Sequence, residues 1–176
     1  DGPAHPRGGR GLMPRPAEPH LIAMPPSPPS TARFSAPGKI LVLGEYAVLE
    51  GHDALCLALS ARIAVTARAL PRGEVSVDAP AVLRGAVSAD TRALSGPAPA
   101  GLEFVWECLR ARLGAGLPTG IALEIDGGFP REWGLGSSSA VTLATLAALE
   151  VLCGGGADPR SVARAATEII RRVQGG

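Results

Sequence analysis

The segment GLGSSSAV, residues 134–141, combines residue types that bind phosphate oxygens well. Gly134 and Gly136 allow close backbone approach and positive φ angles, and three serines follow where a helix is predicted to begin. The first turn of a helix presents unpaired N–H groups and the positive end of its dipole, and serine hydroxyls can donate hydrogen bonds or bind Mg²⁺. The spacing fits equally well with a connection whose serines only cap the helix. The segment therefore predicts either a phosphate-binding loop or a plain helix cap.

Lys39 is the only lysine in the chain and lies in SAPGKILVLGEYAVLEG, residues 35–51. The glycine-serine segment lacks the GxxxxGK[ST] pattern of a P-loop, so a cation for the phosphate must come from elsewhere. An ammonium group at a strand end can orient a hydroxyl or offset charge on a transferring phosphoryl group. Glu45, six residues later, is predicted by its even spacing to lie near a metal ion or near Lys39. The alternatives are a lysine that extends into solvent and a glutamate in a surface ion pair.

Short strands and longer helices must position these residues. ARFSA and KILVLGEY are predicted as two strands separated by a turn at PGK, and further strands are predicted in ALCLALS, RIAVTARAL, EVSVDA and GIALEIDGGFP. Helices are predicted in GLEFVWECLRARLGAG, from Ser137 to Leu152, and after Asp158, which can cap a helix that begins at Pro159. Because the strands come mostly before the helices, the pattern predicts an α+β fold.

The composition predicts one domain preceded by a tail. The 176 residues suit a single core, and residues 1–30 are so rich in Pro, Gly and Arg that they are predicted to be a disordered leader before the folded region, residues 31–176. A net charge of +1 with scattered arginines argues against nucleic acid as the main partner. No apolar run is long enough to span a bilayer, so we expect no membrane association and a cytoplasmic location.

The three cysteines, Cys56, Cys108 and Cys153, have neither the number nor the spacing of a disulfide framework or a zinc site. They are predicted to be small buried residues in a reducing compartment. His52 is predicted to be exposed in a loop, and Asp126 to serve a turn.

The two segments, about 95 residues apart, resemble the first two motifs of the GHMP kinase superfamily of small-molecule kinases. The resemblance implies an N-terminal domain similar to the second domain of ribosomal protein S5. It implies ATP and Mg²⁺ as cofactors, with Lys39 and Glu45 beside the acceptor and Ser138 as a magnesium ligand. It also implies that the catalytic aspartate and a C-terminal domain would follow VQGG, so the chain is expected to be a truncated, inactive fragment. The residues that would bind the ATP phosphates are Gly134, Leu135, Gly136, Ser137, Ser138, Ser139 and Ala140.

Within the superfamily, GEYAVLEG and the lead-in REWGLGSSSAV resemble phosphomevalonate kinases, and Tyr46 stands where mevalonate kinases usually have histidine. The implied reaction is ATP-dependent phosphorylation of 5-phosphomevalonate to the diphosphate, a step of isoprenoid precursor synthesis. Two alternatives remain at this point. The protein is a mevalonate kinase or another small-molecule GHMP kinase, or it is a non-catalytic module that binds a nucleotide. The oligomeric state does not follow from the sequence.

Overall fold

The computed structural model describes residues 29–71, 73–80, 86–112, 120–129 and 131–175. The predicted disordered leader therefore lies almost entirely outside the described residues. Five strands and three α-helices form in the described part of the chain. They are β1 (Thr31–Leu43), β2 (Leu55–Leu70), β3 (Glu74–Asp78), β4 (Val87–Asp90), α1 (Glu103–Arg112), β5 (Gly120–Gly127), α2 (Ser137–Leu152) and α3 (Pro159–Gln174).

The strands form one sheet in the order β1-β2-β5-β3-β4. Neighbouring strands are antiparallel except β3 and β5, which run parallel. The helices α1 and α3 pack against α2, which in turn packs on β1 and β2. The predicted α+β fold is confirmed, because a mostly antiparallel sheet carries its helices together as a second layer.

The alternation of buried and exposed side chains along β2 indicates which face of the sheet the helices cover. Ile63, Val65 and Ala67 are buried, whereas Ala64 and Thr66 between them are partly exposed and Arg62 and Arg68 on either side are exposed. Alternation of this kind places every second side chain on the core side of a strand. The prediction that one face of this strand is more exposed to solvent is confirmed.

Helix α2 begins at Ser137 and ends at Leu152, as its sequence predicts. Nine of its 16 residues are buried, because it has apolar or small side chains on nearly every side and lies between the sheet and the other two helices. Helix α3 begins after Asp158, whose carboxylate accepts a hydrogen bond of 2.9 Å from the Ser161 N–H. The Ser161 hydroxyl and amide both donate to this carboxylate and hold the pKa of Asp158 below its ordinary value.

The structure differs from the prediction at PGK, where β1 continues as one strand instead of turning. Pro37 pairs with Arg62 and Lys39 pairs with Ala58, so one residue of β1 lies opposite three residues of β2 and the ladder is irregular here. A proline is tolerated here because β1 is an edge strand of the sheet. In the same way, ALCLALS and RIAVTARAL form the single strand β2 rather than two strands.

Three smaller expectations are also corrected. Asp126 lies inside β5, paired with Ala64, rather than in a turn. Cys56 is exposed, although Cys108 is buried as predicted and Cys153 is partly buried. The region of residues 86–95, for which no element is predicted, contains β4 and a short 3-10 helix over Thr91–Ser95.

No helix in the described part of the chain is both long enough and apolar enough to cross a lipid bilayer.

Candidate functional site

The glycine-serine loop leads directly into the first turn of α2. Gly134 and Gly136 both have positive φ angles, 67° and 73°, which residues with a side chain rarely adopt. Gly136 is the N-cap residue of α2, and no side chain caps the helix. The N–H groups of the first turn, contributed by Ser137, Ser138 and Ser139, therefore keep hydrogen-bonding capacity at the positive end of the helix dipole.

Lys39 lies directly against this loop. Its backbone N–H donates a hydrogen bond of 2.8 Å to the Leu135 carbonyl oxygen. Its aliphatic stem covers Gly136 so closely that a Cβ placed on this glycine would lie 2.6 Å from Lys39 Cγ and 3.1 Å from Lys39 Cε. Residues about 95 positions apart are thus brought into contact, and the ammonium group is held next to the start of α2.

Gly38 allows this approach of β1 to the loop. A Cβ at Gly38 would lie 3.0 Å from the ring of Phe129 and 3.1 Å from the Leu135 carbonyl oxygen. Such distances leave almost no room for a side chain, so the missing Cβ lets the strand pass between the ring and the loop. The register shift between Pro37 and Lys39 and the contact of Lys39 with Gly136 are therefore parts of one local arrangement.

Two buried side chains, those of Thr142 and Cys108, contact backbone carbonyl oxygens near the start of α2. The Thr142 hydroxyl donates a hydrogen bond of 2.6 Å to the Ser138 carbonyl oxygen. The thiol of Cys108 on α1 approaches the Thr142 carbonyl oxygen at 3.8 Å and is a weak donor to it. Burial raises the pKa of the Cys108 thiol, so it stays protonated and uncharged. The Thr142 hydrogen bond therefore lies within α2, whereas the Cys108 contact joins α2 to α1, and neither adds a charge.

An open groove of about 580 Å³, here called the α2 groove, lies in front of the loop. Its walls come from the loop, from the start of α1 and from the end of α3. The polar groups facing it suit an anionic ligand at the helix N-terminus. The lining residues are Glu103, Phe104, Gly134, Gly136, Ser137, Ser138, Val173 and Gln174.

A second, mostly apolar pocket adjoins the α2 groove. Ser137, Ser138 and Phe104 line both spaces, so they stand at the boundary between a polar and an apolar compartment. The apolar side is formed mainly by Val105, Ile125 and Phe129 with neighbouring aliphatic residues. With a volume of about 60 Å³, the apolar pocket is a small extension of the α2 groove.

The even spacing between Lys39 and Glu45 does not carry over to the structure, because β1 does not extend to Glu45. Strand β1 ends at Leu43, and a second register shift falls between Leu41 and Leu43, so even spacing no longer decides where Glu45 points. Glu45 lies in the following turn and is exposed, and no ion pair joins it to Lys39 among the described side chains. Two other polar residues, His52 and Glu168, are likewise exposed.

Several residues that line the site are not singled out by the sequence patterns. Phe104 is not among the buried residues of α1, which are Val105, Trp106, Cys108 and Leu109. A large aromatic residue off the buried face of a helix is the signal that could have identified it. Gln174 is the last residue of α3, before Gly175 at a φ of 76°. Only the packing of α3 along α2 brings Gln174 to the α2 groove, and no local pattern encodes this packing.

The described residues contain no cluster of three or more His, Cys, Asp or Glu side chains that could hold a metal ion alone. Mg²⁺ is commonly bound by one or two protein groups together with substrate phosphates, and it retains waters. The Ser138 hydroxyl, at the start of α2 and facing the groove, fits a role of this kind.

Comparison with known proteins agrees with this geometry. The family model of the GHMP kinases N terminal domain matches residues 102–176. Mevalonate kinase of Archaeoglobus fulgidus is 32% identical over 148 residues, which cover 80% of this chain and 45% of that protein. The chain thus spans less than half the length of this relative.

Two solved structures share the fold. Mevalonate kinase of Methanococcus jannaschii aligns with a TM-score of 0.69 at 21% identity, covering 83% of this chain and 48% of that one. Phosphomevalonate kinase of Streptococcus pneumoniae, in complex with phosphomevalonate and AMPPNP, aligns with a TM-score of 0.62 at 22% identity, covering 79% and 42%. At such identities these structures support the fold alone. The family model, the sequence relatives and the fold agree that residues 102–176 of this chain match the N-terminal domain of the GHMP kinases.

Proposed function

We propose that the protein to which this domain belongs transfers the γ-phosphoryl group of ATP to mevalonate or to its 5-phosphate. The observation that carries the proposal is the contact of Lys39 with Gly136, because it brings a cation to the amide-rich start of α2. A cation and oriented N–H groups in one place can stabilise the charge of a transferring phosphoryl group.

Each residue of the loop has a role in this proposal. The N–H groups and hydroxyls of Ser137, Ser138 and Ser139 bind the ATP phosphates, and Gly134 and Gly136 let those phosphates approach the backbone. Lys39 faces the acceptor oxygen and offsets negative charge where donor and acceptor meet.

Magnesium fits the same arrangement, with Ser138 as its protein ligand and the phosphate oxygens as its other ligands. When bound, it would neutralise charge on the phosphates. Glu45 is proposed to act at the acceptor side of Lys39, although the described domain leaves it in an exposed turn.

Mevalonate is the acceptor that we favour, because the curated relatives of this chain are mevalonate kinases. The second candidate is 5-phosphomevalonate, which is favoured by Tyr46 and by the residues before the loop, Arg131–Trp133. A phosphate-bearing acceptor would place a second anion beside Lys39 and would require further positive charge. Assay of the full-length protein with each acceptor at equal concentration distinguishes the two.

Replacing Lys39 tests the proposed chemistry. In the full-length protein, Lys39→Ala should lower kcat by about 100-fold or more, since removing one preorganised charged donor typically has an effect of this size. Arg68→Ala is the matched control, because Arg68 is also cationic and lies on β2 but pairs with Glu124 at 2.8 Å on the exposed face of the sheet. Near-normal turnover of the Lys39→Ala protein would contradict the role of Lys39. If the unsubstituted protein bound ATP and phosphorylated neither acceptor, the non-catalytic nucleotide-binding module would be supported instead.

A further inference from the structure

The end of α3 forms one wall of the α2 groove. Val173 and Gln174, the last two residues of the helix, both line the groove. Val173 is partly buried against the core, whereas Gln174 is exposed. The amide of a glutamine carries two N–H donors and no charge, so it can donate hydrogen bonds to the oxygens of an anionic ligand.

The last turn of α3 has little support from the core. The buried residues of this helix are Val162, Ala166 and Ile169, so full burial stops more than one turn before Gln174. Helix ends with few buried contacts fray at a free-energy cost close to zero. A contact outside the core must therefore keep the end of α3 at the groove.

A carboxylate on α1 supplies such a contact. The side chain of Glu107 is only 14% exposed, and its Oε2 accepts a hydrogen bond of 3.4 Å from Arg172 Nη1. The other oxygen, Oε1, accepts from Arg110, which also donates to the carbonyl oxygens of Leu94 and Gly96. Glu107 is thus fixed through one oxygen and holds α3 through the other.

The contact is suited to positioning rather than to overall stability. Arg172 is 63% exposed, and an exposed ion pair contributes little to the stability of a whole domain. A frayed helix end, however, differs so little in free energy from an ordered one that a weak contact is enough to favour the ordered state. The Glu107–Arg172 pair acts at the one turn of α3 that lines the groove.

We propose that Gln174 donates a hydrogen bond to the phosphates of ATP in the α2 groove, and that Glu107 and Arg172 are positioning residues that hold Gln174 there. This inference rests on the proposed binding of ATP. The serines of α2 bind the phosphates from the loop, and Gln174 binds them from the α3 wall without adding a charge next to Lys39.

The dissociation constant of AMPPNP, measured by calorimetry on the full-length protein with Mg²⁺, tests the contact. Gln174→Ala should raise it by about 10-fold, because a hydrogen bond to a charged group is lost. The kcat at saturating ATP should stay within about twofold, since the contact is made before and during the transfer alike.

Replacing Arg172 tests the positioning role. Arg172→Ala should weaken AMPPNP binding by about threefold, and it should have no further effect in a Gln174→Ala background, because it acts through Gln174. Arg172→Lys keeps the charge and should restore most of the affinity. Arg171→Ala is the matched control, since Arg171 lies in the same turn and forms no ion pair among the described side chains.

Hydrogen exchange without nucleotide provides a second readout. The amides of residues 172–175, including the Gly175 N–H that donates to the Arg171 carbonyl oxygen, should exchange faster in Arg172→Ala and not in Arg171→Ala. Equal exchange in these two variants would overturn the positioning role.

The outcomes separate this inference from the proposed function. Unchanged AMPPNP affinity in Gln174→Ala would overturn the contact, and additive losses in the double variant would overturn the route from Arg172 through Gln174. In both cases the unsubstituted protein still binds AMPPNP, so the proposed function stands. Absence of AMPPNP binding by the unsubstituted protein would overturn both.

Discussion

The β1–β2 hairpin has a near half, which lies under the helices, and a far half, which contains the connecting turn. The strands continue through both halves, but their side chains lie in opposite environments. In the near half, Ala32 and Ala36 of β1 and Ile63 and Val65 of β2 are buried beneath the helices, and polar residues alternate with them. The far half consists of residues 40–43 of β1, residues 55–57 of β2 and the residues 44–54 between them, and we call it the apolar ribbon. Its strand residues are mostly hydrophobic and remain exposed. The near half is thus buried by the helices of this domain, whereas the far half gains no such burial from the described residues.

The largest expected effect is on the unfolding free energy, when a leucine side chain is removed from a packed region rather than from an exposed one. Leu149 on α2 is fully buried, so Leu149→Ala should lower the unfolding free energy by about 2–5 kcal/mol. Leu49 in the ribbon is 78% exposed, so Leu49→Ala should change the stability of this chain by no more than about 0.5 kcal/mol. Urea denaturation measures both. Equal losses would mean that the ribbon of this chain is packed in solution.

A second comparison concerns the two glycines of the loop, which differ in the space around them. Gly136→Ala places a methyl group 2.6 Å from Lys39 Cγ, so the lysine must move, and phosphoryl transfer by the full-length protein should fall by about 100-fold. Gly134→Ala is the matched control, because its φ is also positive but nothing lies within 4 Å of the added methyl. It should lower stability with a much smaller effect on rate. Equal rate losses would show that backbone strain, and not the contact with Lys39, is responsible.

The turn of the apolar ribbon offers a similar pair of glycines. Gly44 and Gly51 have φ angles of 85° and 84°, so alanine at either should cost about 1–2 kcal/mol. A Cβ at Gly44 would also lie 2.6 Å from the Asp53 carbonyl oxygen, whereas Gly51 has open space around it. Gly44→Ala should therefore destabilise the ribbon more than Gly51→Ala. Hydrogen exchange of residues 40–57 measures the difference, and identical exchange in the two variants would contradict the contact.

The smallest expected effect is at the N-cap of α3, far from the ribbon. Hydrogen bonds from Ser161 lower the pKa of Asp158 from its ordinary value of 3.8, so its stabilisation is present above that pH and is lost as the pH falls through the lowered pKa. Asp158→Ala should lower Tm slightly at pH 7, and this difference should shrink in acid. Asp158→Asn, which caps without titrating, is the control and should show a weaker dependence on pH. A pH-independent difference between Asp158→Ala and the unsubstituted chain would exclude the carboxylate as its source.

Local sequence signals were sufficient to predict where helices begin, because a capping residue acts on residues next to it in the chain. Asp158 and Pro159 fix the start of α3, and Gly136 followed by small residues fixes the start of α2. The turn predicted at PGK was wrong because β1 continues to pair with β2 past Pro37, and the extra residues of β2 take up the register shift. Whether such a segment turns or continues depends on the partner strand, which lies outside the local window.

By itself, the sequence determined the class of fold, the bounds of α2 and the candidate residues Lys39 and Gly134–Ala140, because helix caps, alternation and motif spacing are short-range properties. The tertiary structure alone decided that the Lys39 stem rests on Gly136, that Phe104 and Gln174 line the α2 groove, and that Glu45 lies beyond the end of β1. These contacts join residues far apart in the chain, and packing between elements, rather than local preference, determines which of them meet.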